Sequence, residues 1–240
     1  RHKLVMGEGK SWGAEVSITS QTLNLLAARG HIVRGRPKGT LISSQYEWAA
    51  IDRWLPAAPE PWPTDEARVE LVRRWLAAFG PATLDDVQWW TGWNKGQTKG
   101  AVAALGDAVT EVELADGSPA LLLADDADPV DPPGPWVALL PALDPTAMGW
   151  KGRAFYLGDH RERLFDRNGN IGPTAWCDGR IVGGWAQRPD GEVVVHLLED
   201  VGAEAATALA AEAEAVRAWL GGIVVSARFP TPLERELAPA

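Results

Sequence analysis

One cysteine in 240 residues, Cys177, rules out an intramolecular disulfide and any multi-cysteine metal site. Its thiol stands beside Trp176 and has two readings, a packing group or a nucleophile. The four histidines, His2, His31, His160 and His196, show no ligand spacing such as i, i+4, so neither a structural metal nor a cofactor is expected. No apolar run reaches the length of about 18 residues that a membrane helix needs. The chain opens at Arg1 with neither Met nor a signal-like apolar stretch, so a cytoplasmic setting is expected and the start reads as an internal cut. Positive charge is also scarce. A net charge of −9 argues at first against a nucleic-acid partner, whose phosphates attract basic surface.

That charge is unevenly spread. Residues 1–62 carry +3, residues 63–135 carry −8 and residues 136–240 carry −4, so only the first segment is basic. Hydrophobic residues make up 46% of the chain, enough for real cores. Thirteen tryptophans are the other outlier; they suit core and interdomain packing, and one or two in a groove would stack on bases.

The stretch from Thr64 to Ala124 orders the rest. Arg68 to Phe79 places Val69, Leu71, Val72, Trp75, Leu76 and Phe79 on one helical stripe, and Gly80-Pro81 ends it. Thr83 with Asp86 three residues on forms a capping box with a shorter acid, which predicts a second helix turning Leu84, Val87 and Trp90 inward. Gly92 ends that helix. Asn94 with Gln97 repeats the logic for a third, whose Thr98, Val102 and Leu105 face the first two while Lys95 and Lys99 point away. Val109 to Leu114 and Ala120 to Leu123 then flank Asp116-Gly117, a strong hairpin signal. Three helices followed by a hairpin make the winged-helix order, with the third helix as candidate reader.

Before it, EVSITSQTLNLLAARG (15–30) predicts a helix capped at Ser17 and stopped at Gly30. A hairpin follows, from His31 to Arg36 and from Gln45 to Ile51 around Pro37-Lys38-Gly39. Helix then wing implies the tail of a second such unit, its earlier helices missing or reduced to RHKLVMGEGKSWG. The basic tip carries Arg34, Arg36 and Lys38, with Ser43, Ser44 and Gln45 able to donate to phosphate oxygens; a solvated hairpin reads equally well. AAPEPWP, with three prolines in seven residues, predicts an extended linker.

A second proline-rich and acidic break, DDADPVDPPGPW, opens the last segment. There WVALLPALDP, TAWCDG, RIVGGWAQR and EVVVHLLED read as strands with turns at Asp178-Gly179 and Asp190-Gly191, a β-meander. The intervening MGWKGRAFYLGDHRERLFDRNGNIGPT is rich in Arg and aromatics, with a compact turn from Asp166 to Gly172. Val201 to Leu220 predicts an amphipathic helix against one sheet face, IVVSARF a final strand, and the remainder a weak tail. The expected class is α+β: tandem winged-helix units followed by a β-rich domain with a packed C-terminal helix. The divisions are 1–56 a partial winged-helix unit, 57–63 a linker, 64–124 a winged-helix domain, 125–135 a linker and 136–240 the β-rich domain.

GRPKGTLISSQYEWA, RRWLAAFGPATLDDVQWWTG and LLPALDPTAMGWKGRAFYLGDHRERLFDRNGNIGPTAWCDGRIVGGWAQRPDG together closely resemble the bacterial winged-helix DNA-binding family that includes the AlkZ-like and YcaQ-like DNA glycosylases. The likeness runs over nearly the whole chain. It implies tandem winged helices followed by a β-rich domain, and excision of alkylated or cross-linked bases through a Gln-x-Gln or Gln-x-Asp motif near the N-terminus. That motif is absent: the glutamines are Gln21, Gln45, Gln88, Gln97 and Gln187, and none has Gln or Asp two positions on. No catalytic residue is therefore assigned. Either the catalytic unit lies upstream of Arg1, or this branch never had it.

The expected partner is double-stranded DNA, met by Arg34, Arg36, Lys38, Ser43, Ser44, Gln45, Lys95, Gln97 and Lys99. Gln97 also reads as a cap and Thr98 as core. Asp144, Arg167 and Asn168 are candidates for lesion-site support, or simply for capping turns. The acidic central unit leaves open a different class, a protein-interaction module or a transcription regulator built on winged helices.

Overall fold

Prolines at the end of the AAPEPWP stretch deny the backbone both helix and ladder, and the chain divides there into two units, Arg1–Pro63 and Thr64–Ala240. The structure is a computed structural model that describes residues 2–9, 13–39, 45–57, 59–225 and 229–239.

In the first unit, β1 (Lys3–Met6) runs antiparallel to β2 (Ala14–Ser17), followed by α1 (Ile18–Ala28), β3 (Ile32–Pro37), β4 (Tyr46–Ala50) and a single turn, α2 (Ile51–Trp54). Two expectations change. Residues 15–17 form a strand instead of the start of the helix, because Glu15, Val16 and Ser17 pair with Val5, Leu4 and Lys3. The RHKLVMGEGKSWG stretch supplies β1, so it is no remnant of a helix. Ser17 still sits at the N-cap, but its side chain makes no capping bond; the first helical N–H, of Ile18, donates to the His2 carbonyl. Gly30, at φ +73°, closes α1 as expected. The β3–β4 ladder pairs Ile32 with Ala50 and shifts register between Arg34 and Pro37. No described residue of this unit is fully buried, so ladders and local contacts hold it together without a closed core.

The second unit begins with α3 (Thr64–Phe79), α4 (Leu84–Thr91) and α5 (Lys95–Ala103), then the antiparallel hairpin β5 (Val109–Glu113) and β6 (Pro119–Leu123). Both capping boxes form: Thr83 with Asp86, and Asn94 with Gln97. Gly92 ends α4 at φ +69°, and Gly117 turns the hairpin at φ +81° beside an Asp116 carboxylate that accepts from Ser118. Val72, Trp75, Leu76, Val87, Ala101 and Leu123 make the core, with Val102 and Leu105 against it. Leu71 and Trp90 of the predicted inward set are instead exposed, because three close-packed helices cover a narrower stripe than periodicity marks out.

Next come β7 (Val137–Leu140), three short helices, α6 (Pro145–Met148), α7 (Ala154–Leu157) and α8 (Arg161–Leu164), then β8 (Thr174–Cys177), β9 (Arg180–Gln187) and β10 (Val193–Leu197). The four strands form one antiparallel sheet in the order β10-β9-β8-β7, a meander. Strand alternation splits its side chains between two layers. Ala175 and Val182 meet Leu209 of α9 (Gly202–Leu220) on one face. Trp176 and Ile181 meet Tyr156, Leu164, Phe165 and Leu233 on the other.

Two corrections concern the end of the chain. Ile223 to Val225 form no strand: the Gln187 side-chain amide donates to the Ile223 carbonyl and accepts from the Val225 N–H, taking the place of a ladder. The rest of IVVSARF as far as Arg228 lies outside the described residues. The expected weak tail is helix α10 (Pro232–Leu237), opened by Thr231, Pro232 and Glu234 in a capping box and burying Leu233 in the second layer. The fold is thus a mixed α+β arrangement of helices with antiparallel sheets.

Candidate nucleic-acid interface

Strand alternation puts Arg34 and Arg36 on one face of β3, and both are exposed, as is Lys38 just beyond. The Arg34 guanidinium lies 4.4 Å from the Tyr46 ring centroid, which holds its stem flat on the hairpin. Lys38 Nζ approaches Glu47 Oε1 at 3.1 Å with both groups mostly in water. Such a pair contributes about 0–1 kcal/mol, so a phosphate exchanges for it readily. The Lys38 N–H donates to the Gln45 carbonyl at 2.7 Å and keeps the tip closed. Ser43 and Ser44 lie outside the described residues.

On α5, Lys95 and Lys99 stand one turn apart, exposed, with no carboxylate partner among the described residues. Gln97 Oε1 accepts from the Asn94 N–H at 3.1 Å, so its carbonyl is occupied by the cap. Thr98 is fully buried and its hydroxyl donates to the Asn94 carbonyl. The third helix therefore offers its two lysines to solvent and keeps its neutral polar groups for itself.

Asp144 caps α6: its Oδ1 accepts from the Thr146 N–H at 2.9 Å, ahead of Pro145 at the first helical position. Arg167 and Asn168 are exposed at the tip of the Asp166 turn. There Asp166 accepts from the Asn168 and Asn170 N–H groups, and the Asn170 backbone bond leads in holding its carboxyl below the usual range. One backbone bond, Leu143 N–H to Ile171 carbonyl at 3.1 Å, ties the Asp144 corner to this turn.

The structure gathers a second group that sequence reasoning missed. Asp86 is only 4% exposed and serves two elements at once. Its Oδ2 accepts from the Thr83 N–H and hydroxyl, closing the cap of α4, and its Oδ1 accepts from the Lys151 N–H at 2.8 Å and the Gly152 N–H at 2.9 Å. Next to that bracket the Trp150 indole N–H donates to the Phe79 carbonyl at 2.9 Å. Arg153 follows, 7% exposed, its Nε donating to the Trp150 carbonyl. Its guanidinium lies 4.9 Å from the Trp89 ring and 5.3 Å from the Phe165 ring, and Arg161 stands 4.9 Å from the same Phe165 ring. The wealth of Arg and aromatics in this stretch was the only signal; Trp89 is far away in sequence.

Burial, then the Asp178 charge, raises the Cys177 thiol, which favours the packing reading over a nucleophile. Burial pushes the Tyr156 phenol up to about 12, so it serves as a neutral donor to the Ala147 carbonyl. His160 and Arg180 both reach Glu199, a local ion cluster at the edge of the sheet. Among the described residues no three His, Cys, Asp or Glu side chains converge as metal ligands, and no helix is long and apolar enough to cross a membrane.

A family model described as DNA glycosylase AlkZ-like matches residues 2–219. A curated relative, the interstrand DNA cross-link repair glycosylase of Streptomyces sahachiroi, is 30% identical over 192 residues, covering 74% of this chain and 48% of its own length. The chain thus spans about half the length of that relative. The solved structure of Streptomyces sahachiroi DNA glycosylase AlkZ superposes with a TM-score of 0.65 at 24% identity, over 82% of this chain and 56% of that one, a likeness of fold.

Proposed function

The chain belongs to the AlkZ-like DNA glycosylase family, and from that premise we propose that it is a DNA-repair protein that docks double-stranded DNA through winged-helix units. Three helices with two capping boxes followed by a hairpin support a winged helix at 64–124. The order α1, β3, β4 supports a partial unit at 1–56. The meander with its two covering layers supports a β-rich domain at 136–240, joined through the acidic 125–135 segment.

The observation that carries the reading is the hairpin of Arg34, Arg36 and Lys38. In a chain of net charge −9 it exposes three cations and, among the described residues, answers them with one solvent-exposed carboxylate. Phosphate contacts of this kind orient a duplex without reading its bases, and in the second unit Lys95 and Lys99 of α5 offer contacts of the same kind. Arg167 and Asn168 are exposed beside the corner capped by half-buried Asp144, a place suited to bracing a distorted duplex. The relative's name states interstrand DNA cross-link repair by a glycosylase, and release of an alkylated or cross-linked base is the activity proposed for the whole protein. No residue of this chain is assigned to that step, since none of its glutamines begins a Gln-x-Gln or Gln-x-Asp motif.

Reversing Arg34, Arg36 and Lys38 to glutamate together is expected to weaken duplex binding at least about 100-fold and to flatten the dependence of log K on log salt by about three. Filter binding over a salt series measures both. Unchanged affinity, with the fold intact, would remove the proposed interface and favour the acidic 63–135 segment as a protein-docking surface, its −8 charge being the observation behind that second reading. On alkylated duplex the 240-residue chain is expected to bind without releasing free base; chromatographic detection of released base from this chain would overturn that expectation.

A further inference from the structure

In the β-rich part of the second unit four of the eight described arginines are answered by an acid. Arg163 reaches Glu236, Arg180 reaches Glu199, Arg188 reaches Glu192 and Arg217 reaches Glu214. Arg153 and Arg161 reach no carboxylate among the described residues, although this part of the chain holds more acids than bases. They face the same ring instead, at 5.3 and 4.9 Å from the Phe165 centroid. Two like charges brought together over one aromatic side chain repel each other, and one of them is almost wholly buried. Burial pulls the Arg153 guanidinium below its ordinary value and the neighbouring Arg161 charge adds to that effect, while Tyr156 and the Asp86 carboxylate act the other way. Its protein hydrogen bonds leave donors over: Nε is taken by the Trp150 carbonyl, Nη1 has only the Met148 sulfur at 3.7 Å, and Nη2 has no described partner. A guanidinium with spare donors beside an exposed second guanidinium is a fork for an oxyanion.

The aromatic members narrow the class of anion. Trp89 lies against Arg153, and the tryptophan residue is 40% exposed. Arg153 and Arg161 both lie over Phe165, so an exposed tryptophan and an exposed cation border the buried guanidinium. Sites for nucleic-acid strands combine these two groups, since each nucleotide carries a charged phosphate and a flat base. We infer that Arg161 and Arg153 hold a phosphodiester of nucleic acid while Trp89 stacks on a neighbouring base, through residues other than those of the Arg34 hairpin and than Lys95 and Lys99. An unstacked base next to the duplex is the natural occupant of the ring. The inference rests on the reading of the chain as a DNA-binding protein.

Arg161 is exposed and its side chain makes no hydrogen bond or ion pair among the described residues, so Arg161→Glu is expected to leave the fold intact and tests the site directly. With the full chain, anisotropy of a labelled duplex and of a labelled dT oligomer is expected to show about a three- to tenfold loss of affinity and a salt slope shallower by about one. Trp89→Ala is expected to weaken the dT oligomer at least about fivefold and the duplex less, since stacking needs a free base. Arg217→Glu, on α9, is the control and keeps wild-type binding. If Arg161→Glu and Trp89→Ala both bind like wild type while the hairpin triple reversal does not, this site falls and DNA binding through the hairpin stands. If wild-type protein binds neither oligonucleotide, the DNA reading falls and the site with it. Inorganic phosphate separates the sources: displacement of the Arg161 Nε–H NMR signal by phosphate but not by the dT oligomer would make this a free-anion site and overturn the inference.

Discussion

Replacing Asp86 with alanine is expected to lower the unfolding free energy by about 3–5 kcal/mol, the range for stripping a buried charged partner from its donors. The size follows from the number of groups left behind. Asp86 accepts from the Thr83 N–H at 3.0 Å, the Thr83 hydroxyl at 2.6 Å and the two backbone N–H groups of Lys151 and Gly152. The Thr83 hydroxyl can turn elsewhere, but the Lys151 and Gly152 donors stay pointed into a region that no longer accepts. Thr83→Ala is the comparison, because it removes only the cap's own side chain and is expected to lose about 1 kcal/mol. Urea unfolding followed by circular dichroism gives both values. An Asp86→Ala loss no greater than that of Thr83→Ala would mean that the bracket between α4 and residues 151–152 adds nothing to stability.

Gly183→Ala is expected to be as damaging for a different reason. A Cβ at Gly183 would lie 2.2 Å from the His196 carbonyl oxygen and 3.0 Å from Leu197 Cα, both backbone atoms of β10. No rotamer relieves a clash between Cβ and backbone, so the β9–β10 ladder must open at its Leu197–Gly183 pairing. A loss of about 3 kcal/mol or more is expected, beyond ordinary overpacking, and with it poor soluble yield. Gly179 gives the contrast: it has open space around it but a φ of +84°. Gly179→Ala is expected to lose only about 1 kcal/mol, for backbone strain. Equal stabilities for the two variants would refute the steric account. Gly183 sits in the DGRIVGGW motif that carried the family resemblance, and the close approach of β10 is a physical reason for a glycine there.

What the amino-acid order determined by itself was chemistry confined to a few neighbouring residues. Thr83 with Asp86 and Asn94 with Gln97 are three apart, so their capping boxes were readable and formed. Asp116-Gly117, Asp178-Gly179 and Asp190-Gly191 set hairpins through backbone preference alone, and all four meander strands are legible between the turns and breaks. Thr231-Pro232-Leu233-Glu234 carried the same kind of signal and went unread, so α10 was mistaken for a tail.

Tertiary structure decided whatever depends on a partner remote in sequence. Glu15 to Ser17 became a strand because Lys3 to Val5 offered a free edge, against the helical pattern of residues 15–30. Ile223 to Val225 lost their strand because the Gln187 amide satisfied the backbone groups a ladder would have used. Asp86 looked like a cap and proved to be a bracket as well, and Arg153 acquired Trp89 and Phe165 only when the loop after β7 folded against α4. Periodicity reports which face of an element is apolar, whereas a buried polar group takes whichever donors or rings the packed chain brings within about 3–5 Å. That choice is made by the assembled unit.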